Sequence, residues 1–245
     1  MVVYCIKQNG VIMRLLFVVH RYYPYPGGSE YYVQAMAEEA QSRGHQVTVL
    51  AGEHKGDRNG VSVTSQAQIL TEKWDLIIVH GGDVSVQNFV LSNASNIPSP
   101  ILYLLILPSH SAVCTQALKD CAYIGWSTPD DLDHIKRYHV SHKAVHVRHG
   151  IKLQDSIGSK GFRTKYNIPA DKTMLLSCGG YWPNKKMKEL AELFVTANIE
   201  DTVLVTTGYD NRMQLMPDAV PGKVIPLLID DKSDILSAIK EADYY

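Results

Sequence analysis

The segment from Leu15 to Ala51 constrains the fold of this chain more than any other. It reads LLFVVH, then RYYPYPGGSE, then YYVQAMAEEAQSRG, then HQVTVLA. The first apolar run reads as a buried parallel strand, and a loop rich in Pro and Gly follows it. A helix comes next, with Val33, Met36, Ala37 and Ala40 on one face and Gly44 placed to stop it. HQVTVLA is then a second strand, which completes a βαβ unit with a glycine pair at the strand-to-helix turn. Gly27 and Gly28 let the backbone approach a ligand closely, and Ser29 is placed to cap the helix. Unpaired N–H groups at a helix start attract anions such as phosphate. A Gly-Gly pair alone is weak evidence, because most such turns are only turns.

The alternation continues along the chain. Strand candidates are DLIIVH (75–80), ILYLLI (101–106), AYIGWS (122–127) and AVHVR (144–148), with helical candidates near 84–93, 111–119 and 129–139. Strands that are apolar on both faces and alternate with helices imply a doubly wound parallel sheet. Ligands of such sheets sit beyond the carboxyl ends of the strands. That directs attention to His20–Gly28, His80–Asp83, Leu107–His110, Ser127–Asp130 and His149–Gly150. In WSTPDD, Ser127 or Thr128 is placed to cap a helix with Pro129 in its first turn. A polar stretch, 151–161, reads as a linker between domains at 13–150 and 162–245, with 1–12 as a tail and Met13 as a candidate start. In the second domain TMLLSC (173–178), TVLVTT (202–207) and KVIPLL (223–228) are strands. GGYWPNKK is a loop, and KKMKELAELFVTA is a helix with Met187, Leu190, Ala191 and Phe194 inward. Asp231–Lys240 is a further helix, before the final ADYY.

Composition narrows the function. The formal net charge of −1 argues against a broad nucleic-acid-binding surface. No window reaches the ~20 apolar residues that span a bilayer. The leader MVVYCIKQNGVI lacks the basic start and long apolar region of a signal peptide. Cys5, Cys114, Cys121 and Cys178 show no CxxC spacing and read as free thiols of a cytoplasmic protein. His134, His139, His142, His146 and His149 fall close together, yet their spacings match no common metal motif. No G-x-S-x-G, Walker A or HExxH motif occurs.

The opening segment, with Pro24, Pro26, Gly27, Gly28, Glu30, Arg43, Gly44, His45, Val47, Thr48 and Val49, resembles the opening of family-four glycosyltransferases. The resemblance implies a GT-B fold: an α/β chain with an N-terminal Rossmann-like parallel sheet on the acceptor side and a second, here incomplete, Rossmann-like domain for a nucleotide-sugar. It implies retaining transfer of a hexose from a UDP- or GDP-sugar to a glycan or lipid-linked acceptor, with no bound metal and no cofactor beyond the donor. The family's paired-Glu donor element would fall beyond Tyr245. That makes a truncated form with reduced or no activity, and a partner over the exposed sheet edge, expectations of the resemblance. Peripheral membrane contact is compatible with it.

The resemblance also proposes site residues. The family's G-R-L-x-x-x-K-G, aligned on Gly179, puts Lys185 on the phosphate-binding Lys and Gly180 where the family has Arg. A lysine at a helix start opposes the helix dipole and is easier to understand facing an anion. Lys186 is the weaker candidate. His110, in LPSHS, matches a family His near the transferred sugar, although Ser111 replaces the Asp that pairs with it. A His there can orient a hydroxyl or move a proton. Gly27 and Gly28 join Lys185, Gly180 and Gly208 as donor or phosphate positions. Gly208-Tyr209-Asp210 stands where the family has a short Gly-x-Gly, and Glu30 either contacts substrate or favours the helix start. His149-Gly150-Ile151 reads as a hinge. Two other classes stay open: a non-catalytic glycan- or partner-binding module, and another GT-B enzyme such as a nucleotide-sugar epimerase.

Overall fold

The computed structural model describes residues 11–25, 27–81, 85–106, 111–148, 161–208, 213–229 and 231–245. The chain divides into two compact units, Met1–Gly150 and Ile151–Tyr245.

The first unit is built on seven strands: β1 (Arg14–Arg21), β2 (Gln46–Glu53), β3 (Ser62–Thr64), β4 (Leu76–His80), β5 (Ile101–Leu104), β6 (Tyr123–Trp126) and β7 (Ala144–His146). Their order is β3-β2-β1-β4-β5-β6-β7, and every pairing is parallel. The direction of winding therefore reverses between β1 and β4, which is where such sheets open a ligand crevice. The helices are α1 (Gly28–Ser42), α2 (Ser85–Ser92), α3 (Ala112–Asp120) and α4 (Pro129–Arg137).

The unbroken apolar run of β1 follows from burial on both faces. Leu16 and Val18 lie in one core layer with Leu50, Ile77, Val79 and Tyr103. Leu15, Phe17 and Val19 alternate into the other, against Val33, Ala37, Val49 and Ile78. The R-G-H-x-V-T-V stretch also has a local explanation. Arg43 ends α1, Gly44 takes the left-handed conformation (φ 89), and buried His45 accepts a hydrogen bond at Nδ1 from Met13 N–H (3.2 Å). Strand β3 has no counterpart in the sequence expectations, since its three residues carry no apolar run. Ser29 is not the cap of α1. The N-cap is Gly27, with no side-chain cap, and Ser29 lies inside the first turn. At α4 the capping residue is Thr128, whose side chain accepts from Asp131 N–H while Asp131 reaches back to Thr128 N–H.

The second unit has three parallel strands, β8 (Thr173–Cys178), β9 (Thr202–Gly208) and β10 (Val224–Leu228), in the order β10-β9-β8. Its helices are α5 (Phe162–Lys165), α6 (Met187–Ala197) and α7 (Lys232–Glu241). Met187, Ala191 and Phe194 are buried along α6, but Leu190 is not inward; it is 37% exposed, and Leu193 is 68% exposed. Leu190 lies one flank away from the buried stripe, where no described element covers it. Beside β8, Tyr244 forms a parallel bridge with Leu175, and its carbonyl accepts from Leu176 N–H (2.9 Å). Glu241 holds the start of α5, accepting from the backbone N–H groups of Gly161, Phe162 and Arg163. Arg163 in turn donates to the carbonyls of Pro169 and Lys172 and to Asp243. Among the described residues no helix is long and apolar enough to cross a membrane.

Candidate functional site

Each unit presents one strand–glycine–helix turn at the carboxyl end of its first strand. In the first unit β1 runs out in His20 and Arg21, and α1 begins after Gly27. Glu30, in the first turn, folds its carboxylate back over Gly27, so closely that a side chain at Gly27 would overlap it. Glu30 Oε1 also lies 3.2 Å from Arg21 Nε, and the two side chains are only 11% and 18% exposed. The Arg21 guanidinium sits 5.6 Å from the centre of the Tyr25 ring. The positive end of α1 thus holds its own anion, balanced by Arg21. An incoming phosphate at Gly27 would meet Glu30 first. Gly28 has open space around it.

In the second unit the turn runs from Gly179 to Lys186, between β8 and α6. Gly180 is left-handed (φ 74), and its N–H donates to Thr207 O (3.2 Å). An Arg at this position would be strained there. Tyr181 turns down into the sheet and is 1% exposed. Its hydroxyl lies 3.1 Å from Thr206 O and 3.0 Å from Leu227 O, which share its proton, and accepts from Leu227 N–H (3.1 Å). Its ring packs where a side chain at Gly208 would stand, so Gly208 is required by this contact. A 3₁₀ turn, Pro183–Lys185, follows, and Lys185 N–H donates to Trp182 O (2.9 Å). Lys185 is exposed, and its stem passes beside Gly179. Among the described residues no carboxylate pairs with it. Lys186 is the N-cap of α6, left-handed at φ 51 and ψ 41, and pairs with Glu189 at 3.5 Å. The N-cap side chain makes no capping bond, while Glu189, in the first turn of α6, accepts from its own backbone N–H. A cavity of about 330 Å³ lies along the other flank of α6, lined by Lys188, Ala191, Glu192, Val195 and part of 217–220; it shares no residue with the turn.

His110, Pro26, Asp83, Tyr209, Asp210, His149, Gly150, Ile151 and most of the 151–161 linker lie outside the described residues. Ser111, next to His110, caps α3 by accepting from Cys114 N–H (3.1 Å). Of the clustered histidines, buried His134 packs edge-on against Tyr138, and His146 stacks on Trp126 with ring centres 4.1 Å apart. His139 and His142 face solvent. Among the described residues no group of three or more His, Cys, Asp or Glu could hold a metal ion. Among the described residues Cys114, Cys121 and Cys178 form no disulfide, and burial pushes the Cys121 thiol up to about 12; Cys5 lies outside the described residues.

No protein-family model matches the chain, and no curated protein is similar to it in sequence. Solved structures are similar in fold. HepE of Anabaena, solved with UDP and glucose, superposes with a TM-score of 0.67 over 94% of this chain and 72% of that one, at 15% identity. The fold is that of the GT-B glycosyltransferases. Sucrose-phosphate synthase of Thermosynechococcus elongatus gives 0.66 at 14% identity, covering 94% of this chain and 74% of that one. A glycosyltransferase of Rickettsia africae gives 0.64 at 12%, covering 95% and 72%. At these identities the likeness is one of fold. The GT-B fold places both glycine turns at strand carboxyl ends, but it does not by itself make either a binding site. Within the GT-B resemblance, the final Gly of G-R-L-x-x-x-K-G falls on Lys186, and the left-handed backbone of Lys186 is the conformation that a Gly there would favour. Two residues of these turns escaped sequence reasoning. Arg21 had a signal, a cation directly after a buried strand. Tyr181 had none, because its partners lie 25 and 46 residues away.

Proposed function

We propose that this chain is a glycosyltransferase that binds a UDP- or GDP-sugar through its second unit and transfers a hexose, with retention, to a glycan or lipid-linked acceptor. The observation that carries the reading is the exposed Lys185, set on a hydrogen-bonded glycine turn at the start of α6 in a GT-B fold. Departure of a nucleoside diphosphate needs its growing charge neutralised, and a cation at a helix start contributes to this. HepE, of the same fold, was solved with UDP and glucose. In the first unit the turn carries Glu30 and Arg21, a pair suited to hydrogen-bonding hydroxyls, so we assign it to the acceptor or sugar side and not to the diphosphate. His110 is the candidate to orient a sugar hydroxyl.

The left-handed Gly180 supplies no second cation, and donor affinity is expected to be modest for that reason. The same observation favours a second reading, a glycan- or partner-binding module without turnover. Calorimetric titration of the folded chain with UDP, GDP and ADP separates the two. Saturable binding of UDP or GDP, weakened by Lys185→Ala, supports the transferase. Absence of binding to all three supports the module.

A further inference from the structure

The turn that carries Lys185 has two left-handed residues, Gly180 and Lys186, and its residues from Pro183 to Lys186 are exposed. Gly180 N–H ties it to Thr207 O on β9, and Tyr181 ties it to the body of the unit through a buried side chain. Tyr181 follows the first left-handed position and sends its ring under the turn, against Gly208 at the end of β9. Its hydroxyl reaches Thr206 O on β9 and both the N–H and the carbonyl of Leu227 on β10. From there the chain runs through Trp182, whose carbonyl accepts from Lys185 N–H, to the exposed ammonium. The resembling pattern has Leu at this place, which would fill the space and bond nothing. Burial pushes the Tyr181 phenol above its ordinary range, although its bonds to Thr206 and Leu227 pull the other way, so it stays a neutral donor and acceptor.

We infer that Tyr181 is a positioning residue for Lys185: its buried hydroxyl, held by backbone groups of β9 and β10, fixes the turn that presents the Lys185 ammonium. The inference rests on the reading of Lys185 as the donor-phosphate cation. A hydroxyl bound by three backbone groups resists small displacements of the turn, and an ion contact depends steeply on where its cation stands.

The test uses the full chain with Tyr181→Phe, Lys185→Ala and the double variant. Two quantities are read: affinity for UDP and GDP by calorimetry, and the rate of tryptic cleavage after Lys185 and Lys186. Tyr181→Phe is expected to keep the circular-dichroism spectrum, to speed cleavage at these lysines several-fold, and to weaken nucleotide binding roughly three- to tenfold. Added to Lys185→Ala it should cost no further affinity, because it acts through that lysine. Additive losses would overturn the inference, as would unchanged cleavage together with unchanged affinity. If Lys185→Ala leaves affinity intact, the donor reading fails, and cleavage alone then decides whether Tyr181 fixes the turn. Should Tyr181→Phe fail to fold, amide exchange in the unaltered chain decides. Slow exchange at Leu227 and Lys185 together supports the peg, and rapid exchange at Leu227 overturns it.

Discussion

The two glycine turns occupy the same place in their units, after the first strand and before the first long helix, yet they solve the helix start in opposite ways. The first turn neutralises itself: Glu30 lies over Gly27 and Arg21 lies against Glu30. The second has no capping bond from its N-cap side chain, carries an exposed Glu189 in its first turn, and sets an exposed lysine beside it. A helix N-terminus attracts anions in either case. What differs is how the protein's own anion is held: Glu30 is buried over Gly27 against Arg21, whereas Glu189, in the first turn of α6, is solvent-exposed and accepts from its own backbone N–H. A shared βα topology therefore says where a ligand could bind, and both first turns carry a carboxylate, so the distinction lies in its burial and in the exposed cation beside it.

The largest expected effect breaks the first turn from within. Arg21→Ala leaves the Glu30 carboxylate largely buried without its cation. A fully buried pair loses about 3–5 kcal/mol in this way, and this slightly exposed one is expected to lose about 2–3 kcal/mol. Chemical denaturation checks it. Nucleotide affinity should be unchanged in the folded variant; a loss of UDP or GDP binding would place the diphosphate at the first turn and reverse the comparison. The complementary change, Lys185→Ala, should leave stability within about 0.5 kcal/mol, since the side chain is exposed. It should weaken nucleotide binding by about 1.5–3 kcal/mol, roughly ten- to a hundredfold, the range for hydrogen bonds to charged groups.

A third prediction extends the self-neutralising habit to another helix of the first unit. Asp131 is buried, which would raise its carboxyl, but donors from Ser127 and Thr128 outweigh burial and hold it below its ordinary value of 3.8. Because the folded-state value is depressed, its stabilisation is fully present above the unfolded value and is lost as pH falls through the folded one. Asp131→Asn should cost about 1 kcal/mol at neutral pH. The gap from the unaltered chain should narrow as the pH is taken below 3.8. Denaturation curves at several pH values would show it, and a gap independent of pH would remove the charge from the account.

Sequence reasoning read local features well and partnered features poorly. The strand Thr173–Cys178 and the stripe Val33, Met36, Ala37 and Ala40 follow from hydrophobic pattern alone, and both are as expected. Leu190 shows the limit of that pattern: it neighbours the buried stripe on the helix, but only tertiary packing decides which flank is covered. Ser29 shows another, since a serine near a helix start competes with a glycine whose backbone suits the N-cap. Gly208 reads in the sequence as a candidate ligand turn, and in the structure it also makes room for the Tyr181 ring, a requirement set by a residue 27 positions earlier. Glycine at a strand end can serve packing as well as a ligand, and the packing partner is not legible in the local sequence.

The smallest predicted effect sharpens the second turn by separating its two lysines. Lys186 holds a left-handed backbone at φ 51, which costs a residue with a side chain about 1–2 kcal/mol. Glycine removes that strain but gives back roughly 0.5–1 kcal/mol through its freer unfolded state. The ion pair with Glu189 is solvent-exposed and contributes little. Lys186→Gly should therefore stabilise the chain by about 0.5–1 kcal/mol, seen as a later denaturation midpoint with an unchanged slope. If Lys185 alone meets the anion, nucleotide affinity should stay within about twofold. A loss as large as that of Lys185→Ala would mean that both ammonium groups face the phosphate, and that the turn replaces the missing Arg with a second lysine from its own end.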